Sequence, residues 1–204
     1  MPPSSSGLLS FWTLPRDPDS AKFELLMEQT AAILLRKISW SETSLIVTWL
    51  TECFGTVRTV ARGARRPKSV FAGALDLFYI ADICFSISRK GDLHTLREVS
   101  VSSVFNVSDA GQAGFYLASY FGELAGLAAP SMQPAREIFD LLKRGIKFTQ
   151  HSPASSRALS HFETELCRLL GVHDPSGKVA AIDALVSLCG AIPATRALAL
   201  KFLA

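Results

Sequence analysis

This chain of 204 residues lacks the short motifs that mark most enzymes and metal sites. Its four cysteines, Cys53, Cys84, Cys167 and Cys189, are far apart in sequence, form no C-x-x-C pair and have no histidine at ligand spacing. That spacing excludes the common zinc sites. No Gly-x-Ser-x-Gly elbow, P-loop or His-Glu-x-x-His sequence occurs either. We therefore expect a protein that is not an enzyme and that carries no metal and no cofactor.

Long apolar runs and strong charge are also missing. No stretch has the length of a membrane span, and the opening MPPSSSGLLSFW has neither a basic region nor a long apolar core. With isolated cysteines, this predicts a soluble cytoplasmic protein without a membrane partner. The hydrophobic content of 49% is ample for a packed core, whereas the net charge of +3 is small. A nucleic-acid surface would therefore have to be a local patch.

One such patch is the stretch GTVRTVARGARRPK, residues 55–68. It contains Arg58, Arg62, Arg65, Arg66 and Lys68 and no acidic residue. If residues 56–62 form a strand, its period of 2 places Arg58 and Arg62 on one face and Val57, Thr59 and Ala61 on the other. Gly63 ends the strand pattern and Pro67 prevents a long helix, so we expect an extended connection beside the strand. Such a cluster suits a polyanion, or it is a solvated basic edge strand that resists aggregation.

Around this patch the chain changes character twice. Residues 1–28 are rich in Pro, Ser and Asp and predict a flexible extension, with Met27 as a possible native start. Residues 29–106 contain five strand-like runs with Gly-containing turns, which favour a small barrel of the OB type. The expected strands are 30–38, 44–51, 55–63, 77–87 and 93–104.

Residues 107–204 have the 3.6-residue period of helices. We expect helices over 110–128, 134–148 and 156–170, and one or two more over 178–203 that break near Pro193. The sequence thus predicts an α+β protein, with an N-terminal OB-fold β-barrel followed by an α-helical C-terminal domain.

Several stretches resemble the bacterial recombination mediator family RecO. They are SETSLIVTWLTECFGTVRTVARGARRPKS at 41–69, RKGDLHTLREVS at 89–100, and FYLASYFGEL, AREIFDLLKRGI and HFETELCRLLG in the helical part. The resemblance covers roughly residues 29–171. The first stretch is specific, because a Glu after the first strand, a Gly before the third and Gly-Ala-Arg-Arg after it occur together in order.

The resemblance implies DNA repair and recombination. It implies binding to single- and double-stranded DNA, strand annealing, and work with RecR and the single-stranded-DNA-binding protein to load RecA, in the cytoplasm at the nucleoid. Many family members carry a four-Cys zinc site after the LLG stretch. Here that position reads Val172, His173, Asp174 and Pro175, which implies a metal-free version. The chain is also short after Gly171 compared with the family pattern.

OB barrels bind single strands with cations and aromatic platforms. Trp40 lies at a turn between two predicted strands and is expected to be exposed, whereas Trp49 and Phe54 either stack on bases or fill the barrel. The candidate DNA-binding residues are Arg36, Lys37, Trp40, Arg58, Arg62, Arg65, Arg66, Lys68, Arg89, Lys90 and Arg97.

Two features of the helical part have alternative interpretations. Arg136, Lys143 and Lys147 share a helical face, with Arg144 beside it. This face is either the solvated side of a helix or a second basic patch for duplex DNA or for the acidic tail of the single-stranded-DNA-binding protein. Glu123 stands on an otherwise apolar helix, and if it is buried it needs a cationic or hydrogen-bonding partner. A structural ion pair across the domain interface is favoured over a catalytic role.

Without the resemblance, three functions remain open: a DNA-binding mediator, an OB-fold RNA-binding protein and a non-catalytic protein–protein adaptor. Salt-dependent binding separates the first from the third, and competition between DNA and RNA oligonucleotides separates the first from the second.

Overall fold

A computed structural model of the protein describes residues 27–203. Five strands form a closed barrel: β1 (Met27–Ser39), β2 (Leu45–Thr51), β3 (Gly55–Ala61), β4 (Ile80–Ser86) and β5 (Leu93–Ser103). They are joined in the order β1-β2-β3-β5-β4, in which β3 and β5 are parallel and the other neighbouring pairs antiparallel. This topology confirms the predicted OB-fold.

Alternation along the strands fills the barrel interior. Val57, Thr59 and Ala61 point inward from β3 and Arg58 points outward, as the period of 2 predicts. Trp49 is fully buried and its Nε1 donates to Thr59 Oγ1 at 2.9 Å. The barrel thus uses Trp49 as core, with its one polar atom satisfied.

Five helices follow the barrel and confirm the predicted α-helical C-terminal domain. They are α1 (Val107–Ala128), α2 (Arg136–His151), α3 (Ser156–Leu169), α4 (Ala181–Cys189) and α5 (Thr195–Phe202). Asn106 caps α1 by accepting from Ser108 N, and Ser155 caps α3 by accepting from Ala158 N. None of the described helices is both long enough and apolar enough to cross a membrane.

The barrel and the helices share one hydrophobic core. Ile33 and Phe78 of the barrel domain pack in the same cluster as Leu117, Phe121 and Leu124 of α1. The segment between α1 and α2 is seated on the β2–β3 turn, where Thr56 N donates to Pro130 O at 2.9 Å. A Cβ on Gly55 would lie 2.0 Å from that oxygen, and the φ of Gly55 is +57°. Only glycine allows this approach.

Two expectations need correction. Residues 63–74 are not an extended connection but a series of turns, in which Arg66 N donates to Gly63 O and Ser69 N to Arg66 O. These local hydrogen bonds replace the strand ladder that a glycine with φ of +70° interrupts at Gly63. Glu123 is exposed rather than buried, and the buried carboxylate is Glu163.

Apart from its last two residues, the proposed extension 1–28 lies outside the described residues. Met27 and Glu28 already belong to β1, where Met27 pairs with Ser86 of β4.

Candidate nucleic-acid interface

A groove of about 780 Å³ opens at one end of the barrel. Its walls are the β1–β2 loop, the residues that follow β3, and the start of the β4–β5 loop with the first part of β5. Trp40 lies on one wall with 61% of its surface exposed. The groove also contains the predicted residues Arg62, Arg66 and Arg97. It therefore combines one open aromatic ring with three guanidinium groups.

The arginines of this region differ in their partners. Arg97 Nε donates to Ser86 Oγ at 2.8 Å, which holds its guanidinium at the groove wall. Arg65 Nη1 donates to Ser41 O at 3.2 Å, so this side chain braces the loop after β3 against the β1–β2 loop. In residues 27–203, neither Arg62 nor Arg66 nor Arg97 forms an ion pair with a carboxylate. These three cations are available to an anionic ligand.

The three remaining β-strand cations, Arg36, Lys37 and Arg58, line a cleft of about 980 Å³ between the barrel and the helices. Arg36 pairs with Thr48 and Thr48 with Arg58, so the three form a row across the sheet. Arg58 Nη1 lies 2.8 Å from Asp92, and Lys37 Nζ lies 2.7 Å from Asp76. Of the cations Arg36, Lys37 and Arg58, the last two are therefore held by carboxylates.

The groove and the cleft are connected by an apolar row. Ile38, Ile46 and Val60 are cross-strand neighbours on the outer face; Ile38 and Ile46 line the cleft, and Val60 lines the groove. The six residue steps from Thr56 to Arg62 span roughly 20 Å. Ile38 is 39% exposed, whereas Ile46 and Val60 are buried. The groove and the cleft therefore lie next to each other on the barrel, and we call the two together the outer path.

The other predicted cations of the barrel domain lie elsewhere. Lys68 is exposed on the turns after β3, and Arg89 and Lys90 are exposed on the β4–β5 turn; none of them lines the groove or the cleft. Lys68 was a candidate as part of the basic stretch 55–68, and Arg89 and Lys90 were candidates as cations of the predicted turn between β4 and β5.

The basic face predicted on α2 is divided as well. Arg136 pairs with Glu52 at 2.8 Å, Lys143 lies 5.8 Å from the Phe139 ring centroid, and Lys147 is exposed. Arg144 alone lines a pocket of about 650 Å³ between α2 and α3, together with Phe148, Arg157 and His161. The sequence analysis missed Arg157 and His161, because their side chains come from a different helix.

Two buried polar groups sit away from these surfaces. Glu163 accepts from Tyr120 OH at 2.6 Å and from Arg196 Nε at 2.7 Å, which ties α1, α3 and α5 together. Burial and the Glu163 carboxylate raise the pKa of Tyr120. His94 accepts from Ser88 N at 3.0 Å, and its Nε2 lies 3.2 Å from Met132 Sδ. Burial lowers the pKa of His94, against the opposing charge of Asp92.

The cysteines are free thiols in this fold. Burial raises the pKa of Cys84, Cys167 and Cys189, which keeps them protonated and weakly nucleophilic at neutral pH. Among residues 27–203, no three His, Cys, Asp or Glu side chains are grouped to hold a metal ion.

Comparison with known proteins assigns the barrel to a family. Residues 26–105 match the model of the domain described as "Recombination protein O N terminal". This range contains all five strands and the whole outer face of the sheet.

Similar curated proteins carry the name DNA repair protein RecO. The one from Rhodopirellula baltica is 34% identical over 146 residues, which cover 71% of this chain and 53% of the relative. The one from Syntrophus aciditrophicus is 30% identical, covering 70% of this chain and 55% of the relative. The one from Xanthomonas campestris is 30% identical, covering 76% of this chain and 65% of the relative. The chain therefore spans less than two thirds of the length of these relatives.

Proposed function

Because the N-terminal barrel of this chain belongs to the family of RecO N-terminal domains, we propose that the protein is a DNA-binding recombination mediator in DNA repair. The observation that carries the proposal is the groove at the end of the barrel. Trp40 is exposed there beside Arg62, Arg66 and Arg97, three cations without a carboxylate partner among the described residues. A single strand needs both kinds of group.

In this proposal, the ring of Trp40 stacks on a base and the three arginines contact phosphates. Base stacking contributes roughly 1–3 kcal/mol per base and tolerates any sequence, because every base has a π-face. Each phosphate contact releases a counterion, so binding weakens as salt increases. The strand then continues over the outer path, where Arg36 and Arg58 contact further phosphates. The proposal includes no bond-breaking step.

We extend the proposal to the annealing of complementary strands and to the loading of RecA. A protein that holds a strand by its backbone leaves base edges free to pair with a complementary strand, which suits annealing. Double-stranded DNA, RecR and, indirectly, RecA are the further partners that family membership suggests. The place of action would be the cytoplasm, at the nucleoid.

For the single-stranded-DNA-binding protein, we propose the pocket between α2 and α3 as the site of its acidic, aromatic tail. Arg144 and Arg157 lie on the rim of this pocket, and Phe148 offers an apolar wall with 39% of its surface exposed. A tail of that kind needs its carboxylates and its ring satisfied together. Arg136 and Lys143 suit the role less, because Arg136 pairs with Glu52 and Lys143 lies against Phe139.

The proposed function is tested by annealing complementary oligonucleotides that are coated with the single-stranded-DNA-binding protein. The wild-type chain should accelerate annealing, and the Arg62→Glu/Arg66→Glu variant should not. In direct binding, the slope of log affinity against log salt should flatten by about 0.7 for each phosphate contact that is lost. Both side chains are exposed, so the fold should persist. The matched control is Arg89→Glu/Lys90→Glu, because these two residues lie outside both the groove and the cleft.

If Arg62→Glu/Arg66→Glu leaves the annealing rate and the salt slope unchanged, the groove is not the DNA-binding site. The alternative functions give other patterns. An RNA-binding protein would prefer RNA over a DNA oligonucleotide of the same sequence. A protein–protein adaptor would bind neither nucleic acid in a salt-dependent way.

A further inference from the structure

Glu123 is a carboxylate that lines the cleft of the outer path without pairing with its cations. Glu123 lies on α1, on the opposite side of the cleft from Arg36 and Arg58, and it is exposed. Its Oε2 accepts from Thr195 Oγ1 at 2.6 Å, so α5 holds the carboxylate toward the cleft. Within residues 27–203 it has no cationic partner at ion-pair distance. An anion beside a phosphate path weakens binding unless the ligand brings it a donor.

Part of the lining of the cleft is apolar. Leu35 and Phe78 lie against α1 at Gly122 and Gly126, where a Cβ would come within 3.1 Å of Phe78 and 2.9 Å of Leu35. Phe78 is only 3% exposed, so the accessible apolar surface of the cleft comes from the partly exposed Leu35 and from Leu127, which is 51% exposed. The volume of about 980 Å³ exceeds that of one nucleobase. An apolar surface with a carboxylate acceptor beside it suits a planar ring that carries a polar donor.

Glu123 can only accept hydrogen bonds while it is ionised. The N4 amino group of cytosine donates a hydrogen bond, whereas uracil and thymine place the acceptor O4 at the same position. We propose that the cleft is a base-selective subsite, in which Glu123 accepts from the exocyclic amino group of an unstacked base while Arg36 and Arg58 neutralise the adjacent phosphates. The inference rests on the proposed DNA binding and adds a base preference to it.

Binding of oligo(dC) and oligo(dU), each about 16 nucleotides long to fill one OB barrel, tests this subsite at neutral pH and one salt concentration. These two strands have the same charge. Their bases differ at position 4, an amino group in cytosine and a carbonyl oxygen in uracil, and at N3, an acceptor in cytosine and an N–H donor in uracil. We expect the wild-type chain to bind oligo(dC) about threefold to tenfold more tightly than oligo(dU), which is less than a bidentate base contact gives. In Glu123→Ala the ratio of the two dissociation constants should fall to about one. Thr195→Val should lower it partly, because the carboxylate loses the hydroxyl that orients it.

The ratio is the decisive quantity, because removing a negative charge strengthens binding of both strands alike. Glu137→Ala is the matched control: it removes an exposed carboxylate from α2, outside the cleft, and should leave the ratio unchanged. Melting temperatures confirm that each variant is folded.

A ratio of one in the wild-type chain, or a preference for oligo(dC) that persists in Glu123→Ala, would overturn the subsite. If both strands bind equally, the proposed DNA binding stands and only the subsite fails. If neither strand binds the wild-type chain, the proposed function and the subsite fail together.

Discussion

The hydroxyl of Tyr120 donates to Glu163 Oε1 across 2.6 Å, which places an acceptor and its donor together in the core of the helical domain. Glu163 is 3% exposed and also receives Arg196 Nε. These contacts attach α5 to α1 and α3. Because α5 also carries Thr195, they fix one wall of the cleft on the outer path.

Glu163→Ala should therefore lower the free energy of unfolding by about 3 kcal/mol. The substitution leaves a largely buried guanidinium and a buried hydroxyl without their acceptor, and breaking a buried ion pair costs roughly 3–5 kcal/mol. Because Arg196 keeps some access to solvent, we expect a loss at the lower end of that range. Chemical denaturation measures the change, with the exposed Glu137→Ala as control. A loss below about 1 kcal/mol would show that the contacts add little to stability.

The stability of the fold should also depend on pH through His94. Burial lowers the pKa of His94 below its unfolded value of about 6.5. Below about pH 6.5 the His94 ring takes up a proton in the unfolded chain while it stays neutral in the folded protein. The free energy of unfolding is therefore highest above that pH and decreases as the pH falls further. Protonation would also break the bond from Ser88 N to Nδ1. Denaturation series from pH 7.5 to 5.5 should show a decline that His94→Asn reduces and His161→Asn does not.

Releasing Arg58 should strengthen DNA binding. Asp92 holds Arg58 at 2.8 Å in the free protein, so a phosphate must displace that carboxylate. We expect Asp92→Asn to bind a single-stranded oligonucleotide about threefold to tenfold more tightly at low salt, and the difference to shrink as salt screens the charges. Asp82→Asn controls for net charge, because Asp82 is exposed on β4 outside both cavities. Equal gains in both variants would mean that only net charge matters.

Replacing Trp40 should cost affinity without costing stability. Its ring is 61% exposed, so Trp40→Ala removes little buried surface. If one base stacks on the ring, the variant loses roughly 1–3 kcal/mol of binding free energy, and Trp40→Phe retains most of it. The fluorescence anisotropy of a labelled oligonucleotide measures the affinity, and the melting temperature measures the stability. Retained affinity in Trp40→Ala would remove this ring from the interface.

Much of the fold follows from sequence period, whereas the partners of each site residue do not. The alternation Val57, Thr59, Ala61 against Arg58 predicted the inner and outer faces of β3 correctly, because one face must be buried. The carboxylates that hold Lys37 and Arg58 lie 39 and 34 residues away in sequence, and local pattern cannot pair them. The cleft arises only where α1 packs on the sheet. The cations of the one basic stretch therefore lie in two different cavities, and the charge pattern of the sequence could not predict that separation.

Glu123 and Glu163 illustrate the same limit. Both stand among apolar residues on helices, and the period alone made Glu123 the candidate for burial. The difference is set by the packing of α5, whose Arg196 reaches Glu163 while Thr195 reaches Glu123 from the solvent side. A weakly amphipathic helix at the end of the chain gave no indication of where it would dock.

The pocket between α2 and α3 gives the last prediction. If Arg144 and Arg157 hold the acidic tail of the single-stranded-DNA-binding protein, Arg144→Glu/Arg157→Glu should abolish binding of a tail peptide, because two attractive charges become repulsive beside the same apolar wall. Naked strands should still anneal, and coated strands should not. Lys143→Glu/Lys147→Glu is the control from the neighbouring face. Loss of naked-strand annealing in the pocket variant would instead make this pocket part of the DNA surface, and tail binding that depends on the control pair would return the site to the α2 face.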